Sequence, residues 1–160
     1  MKKLFALLFL LAACGPPSSS AMAEFFSGGN ATMDVPDGWT SEFKKSVLDE
    51  FRLTAPGNVL RMAIMWGPSV GMTPEQGAEM IAKKLGGTEP ASTRNPGMYA
   101  FEANGGVLRV MTLVHGTRMM VIIESGTRGP LQDMIGHIIK SLASSDKDEQ
   151  AMFDLLKPFF

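Results

Sequence analysis

Apolar and polar residues alternate along several short segments of the chain, which is the pattern of strands with one buried face. The alternation is clear from Asp49 to Ala55, and a dense apolar run at residues 59–66 indicates a central strand. Further strands are predicted at residues 31–35, 98–103, 107–114 and 118–124. Glycine-containing turns separate the last three of these segments, so we expect them to form an antiparallel meander.

Two segments carry apolar residues at helical spacing. The first follows residues 73–76 (TPEQ), which combine an N-cap threonine, a proline at the first helical position and the glutamine of a capping box. This helix is predicted over residues 74–85, and a second helix near residues 130–142. The order β-β-β-α-β-β-β-α predicts one α+β domain over residues 31–143, with a mainly antiparallel sheet flanked by helices.

Residues 144–160 are predicted to form a separate tail helix with many large apolar side chains. These are Met152, Phe153, Leu155, Leu156, Phe159 and Phe160. Such a segment either docks on its own domain or offers an apolar surface to a partner or a membrane. Self-docking is the favoured interpretation, because burial of each large side chain contributes about 1.5–3 kcal/mol.

The N-terminus has the organisation of a bacterial signal peptide. Lys2 and Lys3 form a short positive region, and the apolar region at residues 4–13 is too short to span a bilayer, which needs about 20 residues. Residues 11–15 (LAACG) are similar to the lipobox of bacterial lipoproteins, whose cysteine is diacylglycerated and becomes the new N-terminus. Cys14 is therefore the predicted lipid attachment site, and residues 1–13 the cleaved signal.

A second cleavage site competes with the lipobox. Residues 21–23 (AMA) form an A-x-A motif that would make Glu24 the first residue of a soluble mature chain. The lipobox is favoured, because it directly follows the apolar region. Residues 14–30 then form the anchor and a flexible tether rich in Gly, Pro and Ser. Phe25 and Phe26 interrupt this polar composition and are expected to pack on the domain.

The predicted signal peptide and lipobox indicate the compartment of the protein and its attachment to a membrane. The protein is expected to be exported and held at a membrane by lipid on Cys14, since about two acyl chains suffice for stable attachment. Gly15, in place of an aspartate after the cysteine, fits the outer rather than the inner membrane if the cell has two. With 15 Lys and Arg against 16 Asp and Glu and no basic stripe, nucleic acid is not an expected partner.

Residues 33–39 (MDVPDGW) resemble the strand and Pro-x-Gly-Trp turn that open PsbP-like domains. Residues 99–101 (YAF) before a glycine-rich turn, and a last helix ending at residues 140–142 (KSL), are similar to later parts of the same superfamily. It includes the extrinsic photosystem II subunit and small bacterial envelope lipoproteins of the DcrB and LpqN type. The resemblance implies an α/β/α sandwich over residues 31–143 and a non-catalytic binding or assembly role. The resemblance does not identify binding residues in this chain.

One motif suggests an enzyme. Residues 67–71 (GPSVG) match the G-x-S-x-G pattern of serine hydrolases, with Ser69 as the nucleophile. A nucleophile elbow requires a helix that starts at the serine, whereas the helix signals begin at Thr73. Asp133 and His137 follow Ser69 in the order Ser-acid-His, but they face each other on one helix, whereas a triad acid must reach the histidine from the side opposite the serine. A hydrolase at Ser69 is therefore a distant alternative, and no catalytic residue is predicted.

Metal or small-molecule binding is the nearer alternative. Neither His115 nor His137 belongs to a metal-ligand spacing. Thioethers are soft ligands, and three of the 13 methionines are candidates to meet across strands: Met62, Met111 and either Met119 or Met120. Trp39, Trp66 and Tyr99 are candidates for a ligand groove, although such residues usually fill a core. No metal and no cofactor is predicted. The favoured function is an envelope lipoprotein that binds a partner protein or helps to assemble a complex.

Overall fold

The computed structural model describes residues 24–160. The predicted signal peptide, Cys14 and most of the predicted tether lie outside this range. The described strands are β1 (Glu24–Gly28), β2 (Ala31–Val35), β3 (Thr40–Lys44), β4 (Asp49–Thr54), β5 (Leu60–Pro68), β6 (Ala91–Ser92), β7 (Met98–Ala103), β8 (Leu108–His115), β9 (Arg118–Gly126) and β10 (Ala143–Ser144). The described α-helices are α1 (Pro74–Leu85), α2 (Gln132–Ser141) and α3 (Lys147–Leu156).

A seven-stranded antiparallel sheet forms the centre of the domain, in the order β3-β4-β5-β9-β8-β7-β6. Its middle strands are β5 and β9, whose apolar runs the sequence marks as buried. Helices lie against both faces of the sheet, so the predicted α+β class, with a mainly antiparallel sheet flanked by helices, is confirmed.

One face of the sheet, which we call the aromatic face, carries the larger core. The ring of Trp66 on β5 lies 4.8 Å from that of Phe51 on β4 and 5.9 Å from that of Phe153 on α3, measured between ring centroids. Helices α2 and α3 cover this face together with a small sheet in the order β1-β2-β10. The aromatic face is therefore buried by the first and the last of the described elements.

The opposite face, which we call the α1 face, is covered by the first helix. Ile81 and Ala82 of α1 pack with Val110 and Val121 of the sheet. The predicted bounds and the predicted capping box are confirmed: the Thr73 hydroxyl accepts from the Gln76 backbone N–H at 3.2 Å, and the Gln76 side chain accepts from the Thr73 backbone at 3.0 Å.

The boundary between tether and domain differs from the prediction. Residues 24–28 do not continue a tether but form β1, which pairs with β2 along its whole length. Phe26 packs on Phe51, with 5.4 Å between the ring centroids, whereas Phe25 is 68% exposed. Gly28 is required because the Phe43 ring occupies the space that its β-carbon would fill. The expectation that both phenylalanines pack is thus right for Phe26 alone.

The tail docks on its own domain. Met152, Phe153 and Leu156 of α3 are completely or almost completely buried in the aromatic-face core. The side-chain amide of Asn95, itself buried, donates to the carbonyl of Leu155 at 3.0 Å and fixes the helix to the loop between β6 and β7. The tail is therefore part of the domain and does not form a separate apolar surface.

Candidate functional site

An open pocket of about 390 Å³ lies at the end of the aromatic face that is lined by β7, β8 and β9. Its floor is a row of three side chains in register across these strands: Ala100, Met111 and Ile122. Two residues further along, the same register aligns Glu102, Arg109 and Glu124. The alternation of the strands therefore places an apolar row beside a charged row.

Glu124 is the buried centre of the charged row, with a side chain that is 2% exposed. Its Oε2 atom accepts from the Nε of Arg128 at 2.6 Å and lies 3.5 Å from the Nε of Arg109. Arg109 also donates from Nη2 to the carbonyl of Gly126 at 2.9 Å. The second carboxylate oxygen, Oε1, is buried and has no hydrogen-bond partner. Two arginines thus share one buried carboxylate.

The two arginines remain accessible, since their side chains are about a third exposed. Arg128 comes from the loop between β9 and α2, so it approaches the pocket from outside the sheet. Glu102 is exposed and adds a negative charge to the pocket lining. The site therefore offers guanidinium donors next to an apolar floor, which suits a ligand with one polar and one apolar end.

A second pocket of about 320 Å³ lies on the α1 face, beyond the helix, and is lined by Arg52 and Arg61 among others. Arg52 donates through Nε and Nη2 to both carboxylate oxygens of its neighbour Glu50, at 2.6 and 3.0 Å. This ion pair is partly exposed, with the Arg52 side chain 48% accessible. The first pocket is the stronger candidate because its charged centre is buried.

Ser69 does not have the geometry of a nucleophile. The residue is 1% exposed, its hydroxyl has no hydrogen-bond partner, and its backbone N–H donates to Thr117 at 2.8 Å. The following helix starts only at Pro74. A nucleophile elbow instead presents its hydroxyl at an exposed turn directly before a helix.

The histidines lie apart from the pocket. His137 of α2 approaches the Asp34 carboxylate of β2, with 3.6 Å between Nε2 and Oδ2, and both side chains are exposed. His115 is exposed at the end of β8. Among residues 24–160, no group of three or more His, Cys, Asp or Glu side chains is placed to hold a metal ion.

The candidate methionines do not form one cluster. Met62 lies opposite Glu124 and Met111 lies opposite Ile122, so they occupy different rows on either side of β9. Met120 lies on their face of the sheet, and Met119 belongs to the core beneath α1. The candidate groove residues Trp39 and Trp66 are buried in the core, and Tyr99 is half-buried. Packing accounts for these positions.

The charged row was not predicted from the sequence. Glu124 continues the inward-facing positions Met120 and Ile122 of β9, and charged residues are rarely buried without a partner. A charged residue that falls on the buried face of a predicted strand was therefore the sequence feature that could have indicated this site. Arg109, two positions before Met111 on the neighbouring strand, carries the same signal.

No protein-family model matches the chain, and no curated protein matches it. The similarity to PsbP-like domains therefore stays a prediction. None of the helices within residues 24–160 is both long enough and apolar enough to cross a membrane.

Proposed function

We propose that this protein is a lipid-anchored bacterial envelope protein whose domain binds a ligand or a partner and catalyses no reaction. The observation that carries the binding role is the open pocket with Glu124 buried between Arg109 and Arg128. Buried charged groups cost stability unless they are fully paired, and Glu124 keeps one carboxylate oxygen without a partner. Accessible guanidinium groups beside an apolar pocket are the kind of converging polar groups that orient a ligand in a binding site.

The anchoring part of the proposal is supported by the lipobox-like residues 11–15 after the short apolar region. Only nine residues separate Cys14 from β1, which begins at Glu24. At about 3.3–3.6 Å per residue, this segment spans at most about 30 Å. A lipid on Cys14 would therefore hold the pocket close to the membrane surface, and the predicted outer membrane is the favoured site.

Small-molecule binding gains support relative to assembly through the tail. The apolar residues that suggested a docking tail, Met152, Phe153 and Leu156, are buried in the domain itself. The pocket, in contrast, has a volume within the range of about 300–1,000 Å³ that is usual for small-ligand sites. A partner protein remains the second candidate, because an open pocket also accepts a protruding side chain.

The anchor is tested by the mass of the mature protein. Intact-mass analysis of protein from native membranes is expected to give a chain that starts at Cys14 and carries a diacylglyceryl group. The Cys14→Ser variant should lose this mass and no longer partition into detergent. Ala23→Asp is the matched control, since it blocks the competing A-x-A site and should leave lipidation unchanged. A mature N-terminus at unmodified Glu24 contradicts the anchor.

A further inference from the structure

We propose that the pocket next to Glu124 binds a small amphiphilic anion, namely a monocarboxylate with an apolar body. This inference deepens the proposed binding function and rests on it. It assigns the guanidinium groups of Arg109 and Arg128 to the carboxylate, and the floor of Ala100, Met111 and Ile122 to the apolar part.

The charges of the site favour an anion. Two guanidinium groups face a single buried carboxylate, that of Glu124, and the remaining acidic group of the pocket, Glu102, is exposed to solvent. Arg109 and Arg128 therefore carry one positive charge more than Glu124 neutralises, and both guanidinium groups reach the solvent. A ligand carboxylate would neutralise that charge, whereas a cationic ligand would meet two arginines.

The geometry of Arg128 fits the same ligand. Its Nε–H is used by Glu124 at 2.6 Å, which fixes the plane of the guanidinium and leaves the terminal amino groups for another acceptor. A planar guanidinium donates two parallel hydrogen bonds to a carboxylate, so a held Arg128 is ready to receive one. In this arrangement Glu124 is a positioning residue, acting on the ligand through the arginine.

The floor accounts for the apolar end. Ala100, Met111 and Ile122 form one row across three strands, and the flexible Met111 side chain is only partly buried. A methionine can adapt to chains of different shape, so the floor accepts an alkyl body without selecting a single structure. The volume of about 390 Å³ limits the ligand to a short or medium chain.

The test uses decanoate, kept below its micelle concentration, with the complete mature chain carrying Cys14→Ser, which has no lipid. Binding is followed by NMR of isotope-labelled methionine methyl groups. Decanoate should shift the Met111 methyl signal in a saturable way, and Arg128→Gln should weaken binding by about tenfold or more, as loss of a charge-assisted hydrogen bond does. Arg52→Gln is the matched control, because Arg52 also pairs with a glutamate but lies on the α1 face.

The neutral analogue decanamide makes the test independent of variant folding. It has the same apolar body, so wild-type protein should bind it at least about tenfold more weakly than decanoate if the charge is recognised. Equal affinity for the two probes would show that the pocket does not recognise the negative charge. This result overturns the proposal of an anionic ligand and leaves a pocket for neutral ligands. Absence of any Met111 shift overturns the inference for the pocket itself. Neither result affects the anchor, which is measured separately by the mass of the mature chain.

Discussion

Glu124 lies on β9 at a position where strand alternation calls for an apolar side chain. Met120 and Ile122 precede it on the same face, and both are buried. The carboxylate is tolerated there because Arg128 and Arg109 approach it from a loop and from the neighbouring strand. A neutral residue at this position would leave both guanidinium groups without the carboxylate that they share.

Glu124→Gln should therefore destabilise the domain by about 1–3 kcal/mol, the cost of losing hydrogen bonds to charged groups at a buried site. The matched control is Glu50→Gln, which breaks the partly exposed pair with Arg52 and should cost about 0–1 kcal/mol. Urea denaturation of both variants measures the free energies of unfolding. Equal losses in the two variants would contradict the special role of Glu124.

Residue-level prediction from the sequence rests on local signals. Short motifs pointed to Cys14, which lies outside the described residues, and to Ser69, which is buried and donates from its backbone N–H to Thr117, almost fifty positions away. The pairing of Glu124 with Arg109 likewise requires the register of two strands. Motifs predict what a residue is able to do, whereas the sheet decides whether it is accessible.

The carboxylate of Asp146 caps the N-terminus of helix α3 and also forms an ion pair. Asp146 accepts from the backbone N–H groups of Glu149 and Asp148, both at 3.0 Å, and pairs with Arg118 at 2.8 Å. The Glu149 hydrogen bond is the main reason why the pKa of the Asp146 carboxyl is lowered, and Arg118 lowers it further. The charged form is thus favoured in the folded state.

Asp146→Ala should cost about 1 kcal/mol at neutral pH, the usual cost of losing an N-cap. Because the folded-state pKa lies below the unfolded value of about 3.9, the contribution of the charge is complete above that pH. It is lost as the pH falls through the lower folded-state pKa. Asp146→Asn, which keeps a cap without the charge, should therefore differ from wild type at pH 7 and converge with it in acid.

Thermal unfolding of wild type and Asp146→Asn across this pH range measures the convergence. Asp37→Asn, in the exposed turn after β2, is the control and should not change the pH dependence of stability. A gap between wild type and Asp146→Asn that stays constant down to the lowest pH would show that the charge of Asp146 contributes nothing.

Strand β1 is the element that moves the domain boundary. A chain beginning at Ala31 loses the whole ladder with β2 and the Phe26 ring on Phe51, so it should be at least about 3 kcal/mol less stable than a chain beginning at Glu24, as for a core Phe→Ala change. Phe25→Ser is the control and should change stability by less than about 0.5 kcal/mol. Denaturant unfolding decides, and equal stabilities of the two chains would restore the boundary at residue 31.

Elements with local signals were predicted well, and elements that exist through pairing were not. Helix α1 has its predicted bounds because the capping box at Thr73 and the glycine at 86 act within the helix itself. Strands β1 and β3 were missed, since β1 follows a stretch rich in Ser and Pro and β3 is mostly polar, and both become strands only against β2 and β4. The two-residue strands β6 and β10 likewise form because they pair with β7 and β2, and not because their residues have a high strand propensity.

At the scale of the molecule, the last fourteen residues complete the larger core. Removal of residues 147–160 takes away Met152, Phe153 and Leu156, each fully or almost fully buried. Loss of each such side chain costs about 2–5 kcal/mol, against a total stability of about 5–15 kcal/mol. We therefore expect no cooperative unfolding transition for the truncated chain in calorimetry. Phe159→Ser, at a position 46% exposed, is the control and should unfold cooperatively.

The small sheet has a consequence for the timing of folding. Its central strand β2 pairs with β1 at one end of the described chain and with β10 near the other end, and α3 then closes the aromatic face. The larger core therefore stays incomplete until residues 147–156 have been synthesised. If the chain is exported unfolded, as proposed, this order keeps the polypeptide unfolded while it passes through the channel. The domain is then completed only when α3 has emerged on the far side.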